Sequence, residues 1–292
     1  MSMEQIPEPT PEARAKLAAL RRSLMDIGSV LVAFSGGVDS SFLLKVAHDT
    51  LNTPDAANPK AALGITARSS TYPKRELEEA IRIAGLIGAP HSIIDSEEME
   101  IEGYSDNPPD RCYFCKGELF GKLVQIAEEG GYAAVLDGAN ADDLADYRPG
   151  SRAAREKNVR SLLQEVGMTK EEIRQLSREM DLPTWDKPSF ACLASRFPFG
   201  EKITLPKLSR IDQAENFLRE LGFVQLRVRN HGDIARIELA PEDIAKAAAP
   251  KTAKAIHQAL LGLGFKFVTL DLAGYHTGSM NATLPPQGEN AL

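Results

Sequence analysis

Residues 30–41 read Val-Leu-Val-Ala-Phe-Ser-Gly-Gly-Val-Asp-Ser-Ser. A near-continuous apolar run, a Gly-Gly turn and a helical stretch leave few folds open. The run lacks the polar alternation of a half-solvated strand, so it belongs inside a sheet covered on both faces. The helix after it begins with bare backbone N–H groups, and its dipole adds partial positive charge, which makes an anion site. Gly36 and Gly37 let phosphate oxygens approach the backbone. Ser35, Ser40 and Ser41 add hydroxyl donors, and Asp39 is expected to face a Mg2+ ion or the loop amides. The chain has no G-x-x-x-x-G-K-[ST] run, so the loop is not of the Walker type. A plain turn with a capping serine is the simpler alternative. The strand before and the helix after favour a nucleotide loop.

The strand–helix alternation continues. Thr10, Pro11 and Glu12 start a leader helix with a stripe of Leu17, Leu20, Leu24 and Ile27, closed by Gly28. Strands are expected over 30–34, 61–65, 91–94 and 133–136, with helices over 40–47, 73–87 and 117–128. This predicts an α/β fold, a parallel sheet with helices on both faces. From 141 to 203 the periodicity loosens, apart from a capped helix over 169–180, and long irregular stretches are usually functional. Beyond Leu205, a helix over 207–221, two strands turning at His231-Gly232-Asp233, a helix over 251–263 and a strand over 266–271 predict a small α+β unit. The expected division is 1–203, 204–277 and a fraying tail, 278–292.

The fourth strand runs into Asp137-Gly138-Ala139-Asn140-Ala141-Asp142-Asp143. Ligands of open α/β sheets bind beyond the carboxyl ends of the strands, so Gly138 should border the phosphate loop. Asp142 or Asp143 could ligate Mg2+ or simply cap a helix. Thr66 is expected to end the second strand beside adenine or ribose.

Three cysteines are too few and too odd in number for a disulfide framework. Cys112 and Cys115 form a C-x-x-C just before the third expected helix; Cys192 lies in Lys-Pro-Ser-Phe-Ala-Cys-Leu-Ala-Ser-Arg, 187–196. A thioredoxin-like redox pair lacks that fold's pattern around it. Zinc would need a fourth ligand such as His91 or His231. An iron–sulfur cluster on three thiolates would leave one iron open to an exogenous group. Small buried hydrophobes are the plain alternative, against which the C-x-x-C spacing and the polar setting of Cys192 count.

Of 292 residues, 34 are Lys or Arg and 41 Asp or Glu, a net charge of −7. Such a chain has no bulk attraction for polyanions, which weighs against a nucleic-acid partner. There is no apolar run of roughly 18 residues and no signal-like apolar stretch at the start, so the expectation is a cytoplasmic protein without a membrane partner.

SGGVDSS, DRCYFCK, DGANADDLADYRPG, DKPSFACLASRFPFG and GYHTGSMN together resemble the LarE family over nearly the whole chain. These are ATP-dependent sulfur transferases of nickel-pincer nucleotide biosynthesis, within the PP-loop ATP pyrophosphatase superfamily. The resemblance implies a PP-loop domain with a smaller C-terminal domain, and cleavage of ATP to AMP and pyrophosphate. The implied substrate is a small nucleotide, pyridinium-3,5-biscarboxylic acid mononucleotide, whose carboxylates become thiocarboxylates. One form of the family gives up the sulfur of a cysteine at the position of Cys192. The other holds a [4Fe-4S] cluster on three cysteines, fed by a sulfide or thiol donor. Cys112, Cys115 and Cys192 match the second form. Arg227 and Arg229 match positions that hold substrate phosphate, and Arg196 in the cysteine motif is a further substrate-binding candidate. Arg227 and Arg229 sit two apart on a strand and so share a face, which a plain solvated face would also explain. A homo-oligomer, a hexamer, is implied as well. The runner-up is a tRNA thiolase of the same superfamily, which needs an RNA surface. An amide-forming ligase would need a glutaminase.

Overall fold

A computed structural model describes residues 7–52, 61–145, 149–188 and 190–276. The expected tail, 278–292, and the stretch 146–148 of the acidic motif lie outside the described residues. The chain forms two compact units: Met1–Ser69, Lys74–Glu98 and Cys112–Phe190 make one; Ser70–Pro73, Met99–Arg111 and Ala191–Leu292 make the other. The cysteine stretch 191–203, placed by sequence with the first domain, thus groups with the C-terminal unit. Its hydrogen bonds explain why: Leu193 N–H donates to Thr71 O at 2.8 Å, Gly200 N–H to Asn107 O at 2.9 Å and Ile203 N–H to Ser105 O at 2.8 Å.

In the first unit, α1 (Pro11–Ile27) precedes β1 (Val30–Ala33), α2 (Val38–Leu51), β2 (Ala62–Arg68), α3 (Lys74–Ile87), β3 (His91–Asp95), α4 (Arg111–Gly130), β4 (Ala134–Leu136), α5 (Pro149–Glu156), α6 (Leu162–Glu165) and α7 (Lys170–Glu179). The strands lie in the order β3-β2-β1-β4, all parallel. The expected fold class is the one observed. The apolar run of β1 has its reason here. Val30 and Val32 pack with α1, α2 and α3 on one face, while Leu31 packs with Phe120, Leu123 and Ala153 on the other. Helix α4 starts at Arg111, six residues before the expected 117, so the C-x-x-C forms its first turn. The segment after 141 is also more helical than its pattern suggested. α5 buries only Ala153 and Ala154, too little apolar surface to set a readable period.

The second unit holds α8 (Leu205–Glu220), β5 (Leu226–His231), β6 (Ile234–Leu239), α9 (Ile244–Ala248), α10 (Pro250–Gly262) and β7 (Phe267–Leu270). β5 and β6 form the expected hairpin, and β7 pairs parallel to β6. Its core joins α8, α10 and the sheet to Leu193, Ala194 and Phe197. No helix among the described residues is long and apolar enough to cross a membrane.

Candidate active site

The glycine loop is built by exclusion. Gly36 has φ +63°, and a Cβ there would stand 2.8 Å from Ala80 Cα, so only glycine fits. Gly37 is the N-cap of α2 and offers no side-chain cap, which leaves the first-turn amides bare. Gly138, after β4, comes so close that a Cβ would lie 3.1 Å from Ser40 N. The acidic loop therefore does border the glycine loop. The Ser35 N–H donates to Ser40 Oγ at 3.2 Å, and the two hydroxyl oxygens are 3.0 Å apart. Ser41 Oγ is buried without a hydrogen-bond partner.

Asp39 faces a lysine. Its Oδ2 accepts from Lys170 Nζ at 2.5 Å, and its Oδ1 from Asn140 Nδ2 at 3.3 Å. Asp142 and Asp143, proposed from sequence as metal ligands or caps, act here as caps: Asp142 Oδ2 takes the Lys170 N–H at 2.8 Å and Asp143 Oδ2 the Asn140 N–H at 3.0 Å. Lys187 Nζ donates to the loop carbonyl of Gly36 at 3.1 Å and pairs with buried Glu76 at 2.8 Å. Burial alone would raise the Glu76 carboxyl, but the Lys187 ammonium, helped by Arg75, holds it below its ordinary value. Arg174 fixes the turn carrying Lys187 by donating to Trp185 O and Lys187 O at 2.5 and 2.8 Å.

Thr66 needs correction. β2 runs on to Arg68, and the Thr66 hydroxyl is buried, donating to Phe34 O at 2.7 Å with His91 Nε2 at 2.9 Å. It ties β2 to the end of β1.

Cys112 and Cys115 stand one helical turn apart on α4, the first exposed and the second half-buried. α5 braces this turn. Arg152 stacks 3.8 Å over the Tyr113 ring, the Tyr113 hydroxyl donates to Glu156 at 2.6 Å, and glycine at 150 lets the helix approach Lys116 and Cys112 O. Among the described residues, no group of three or more His, Cys, Asp or Glu side chains is arranged to hold a metal ion.

In the second unit, half-buried Cys192 caps a single 3-10 turn, Leu193–Arg196. Its carbonyl accepts from the Ser195 N–H at 3.0 Å, the Ser195 hydroxyl at 2.8 Å and Arg196 Nη1 at 3.2 Å. Arg196, read from sequence as a substrate ligand, is instead a buried brace. Its exposure is 0%, and it donates to both Glu215 oxygens, to Ala191 O, to Cys192 O and to Ser195 Oγ. Burial alone would raise the Glu215 carboxyl, but Arg196 brings it down to about 2. Asn107 and Arg111 clamp the same loop. Asn107 Nδ2 donates to Pro198 O at 2.7 Å, and Arg111 donates to Asn107 Oδ1 and, at 3.1 Å, to Ala194 O. Arg111 directly precedes Cys112, and Ala194 follows Cys192 by two residues.

Arg227 and Arg229 share the same face of β5, as their spacing requires. Arg229 donates twice to Glu238 Oε2, at 2.9 and 2.6 Å, and to Ser195 O at 3.1 Å. Arg227 donates to Leu226 O at 2.7 Å and lies 5.1 Å over the Tyr275 ring. Burial, and next the neighbouring Arg196 charge, lower the Arg227 guanidinium to about 10.

A pyridinium-3,5-bisthiocarboxylic acid mononucleotide synthase from Lactiplantibacillus plantarum is 38% identical over 269 residues, 92% of this chain and 95% of that protein. The chain belongs to that family, LarE. An uncharacterized protein of Synechocystis sp. is 45% identical over 270 residues, 92% of the LarE chain and 98% of its own. The tRNA-specific 2-thiouridylase MnmA of Rickettsia felis is 26% identical over 194 residues, 55% of this chain and 52% of that protein. No family model matches. The sequence reading of this LarE member missed Lys170, Lys187 and Glu76 around the loop, and Asn107, Glu215 and Glu238 around the cysteine turn. A signal existed for Lys187 alone, which stands in the cysteine motif.

Proposed function

We propose that this LarE chain is an ATP-dependent sulfur transferase that converts carboxylates of pyridinium-3,5-biscarboxylic acid mononucleotide to thiocarboxylates, with ATP leaving as AMP and pyrophosphate. The observation that carries the reading is the uncapped first turn of α2 behind a Gly36 that no other residue can replace. A carboxylate resists sulfur attack because it is anionic and resonance-stabilised. Attack of its oxygen on the α-phosphorus expels pyrophosphate and forms an acyl-adenylate. Sulfur addition to that carbonyl then expels AMP. The loop amides and the Ser35 and Ser40 hydroxyls hold the phosphates, with Asp39, in the first turn of α2, the carboxylate for Mg2+. The penalised charge of Arg227 is relieved by an approaching phosphate, which supports a role for it and Arg229 in holding the substrate.

Cys112, Cys115 and Cys192 are thiols, the donor type that a [4Fe-4S] cluster takes, and supply three of its usual four ligands. When bound, such a cluster supplies an iron without a protein ligand, where an exogenous sulfide can reside. Cys112 and Cys115 present two thiols from one helical turn. Arg196, Ser195 and Arg111 fix the backbone that carries the third.

Ion-exchange analysis of spent nucleotide tests the reading, with AMP and pyrophosphate expected and ADP overturning it. Intact-protein mass before and after turnover separates the two sulfur sources. An unchanged mass is expected; a loss of about 34 mass units at Cys192, one H2S, would restore the sacrificial form.

A further inference from the structure

Lys170 occupies an electrostatically poor position. It is the first residue of α7, after a Thr169–Glu172 capping box, and its ammonium touches Asp39, the second residue of α2. The charge therefore lies against one helix N-terminus while its own backbone forms another. Both ends carry partial positive charge, where a cation is disfavoured and an anion favoured. The Asp39 carboxylate offsets this, but Asn140 already donates to its second oxygen. The lysine side chain is 30% exposed and can be reached from solvent. The glycine loop has no lysine of its own.

We propose that Lys170 is a phosphate ligand held in reserve on Asp39. When Mg·ATP enters, the ammonium passes from the carboxylate to oxygens of the terminal phosphates, and Asp39 is released toward the metal. This rests on the nucleotide reading above. The α-phosphate must stay open to the substrate carboxylate. The departing pyrophosphate gains charge as the bond breaks, and a fixed cation stabilises that part most. The exchange also removes a cost, because neither the ammonium nor the carboxylate is left without a partner in either state.

Titration calorimetry of the full chain with Mg·ATP, magnesium pyrophosphate and AMP tests the exchange. Lys170→Gln is expected to weaken ATP and pyrophosphate binding about ten- to hundredfold, the scale of one charge-assisted contact. AMP affinity should stay within about twofold, and Lys170→Arg should restore most of the loss by returning the charge. The melting transition of each unliganded variant verifies that it is folded. Equal losses for AMP and ATP would reduce Lys170 to a structural partner of Asp39 and overturn the proposal. So would wild-type affinity for all three probes. A wild-type chain that binds neither ATP nor pyrophosphate would overturn the nucleotide reading itself, a result distinct from either of those.

Discussion

Glu215 is 1% exposed and carries its charge because Arg196 and Arg219 surround it. Its folded value of about 2 lies below the ordinary 4.5, so the fold favours the ionised form. The stabilisation is therefore complete above pH 4.5 and lost as pH falls from there toward 2. Urea unfolding as a function of pH should show that decline, and Glu215→Gln should flatten it. At neutral pH the same variant should lose about 3–5 kcal/mol, because it leaves the Arg196 charge buried and uncompensated. A neutral-pH loss below about 1 kcal/mol, the range of a surface pair, would mean that water reaches the site. Gly36 and Gly37 were legible in the sequence because a glycine turn between a strand and a helix is a local pattern. Glu215 was not, since its partner lies 19 positions away, and Lys170 and Lys187 reach across 131 and 151 positions. Ion pairing is a property of the fold, and charge alone does not name the partner.

At the level of elements, the strands and major helices were legible from short apolar runs and from helical apolar spacing. The start of α4 was not. Its opening segment, Arg-Cys-Tyr-Phe-Cys-Lys, has no apolar spacing that marks a helix; α5 holds it from outside. Cys112 faces solvent, so a serine there should cost little stability, within about 0.5 kcal/mol for a surface position. Under the cluster reading, Cys112→Ser or Cys115→Ser should abolish iron retention after anaerobic reconstitution, as assayed by iron and sulfide content. Retained iron in Cys112→Ser would remove that residue from the ligand set. β5 gives a parallel test. Arg227→Met keeps much of the packing volume but removes the charge, and should weaken substrate binding by about one to two decades while ATP affinity holds. Calorimetry with each ligand decides it, and an equal loss of ATP affinity would assign this strand to the nucleotide.

For the whole molecule, the net charge of −7 sets an expectation against RNA despite the partial likeness to a tRNA thiouridylase. Filter binding with bulk tRNA at physiological salt should retain no complex at micromolar protein; retention there would revive the thiolase alternative. The fold class was legible because alternating strands and helices specify a parallel sheet. The division of the chain was not, because contiguity in sequence hides segments lent from one unit to the other. The backbone changes unit after residues 69, 73, 98, 111 and 190. This has a consequence for biosynthesis. Tyr104, Asn107 and Arg111 are buried in the second unit, yet they leave the ribosome well before the stretch from Ala191 onward that covers them. The second unit cannot close until its last strands are translated. A chain cut short near residue 190 would display those three side chains to water, a ready mark for the cell's quality-control proteases.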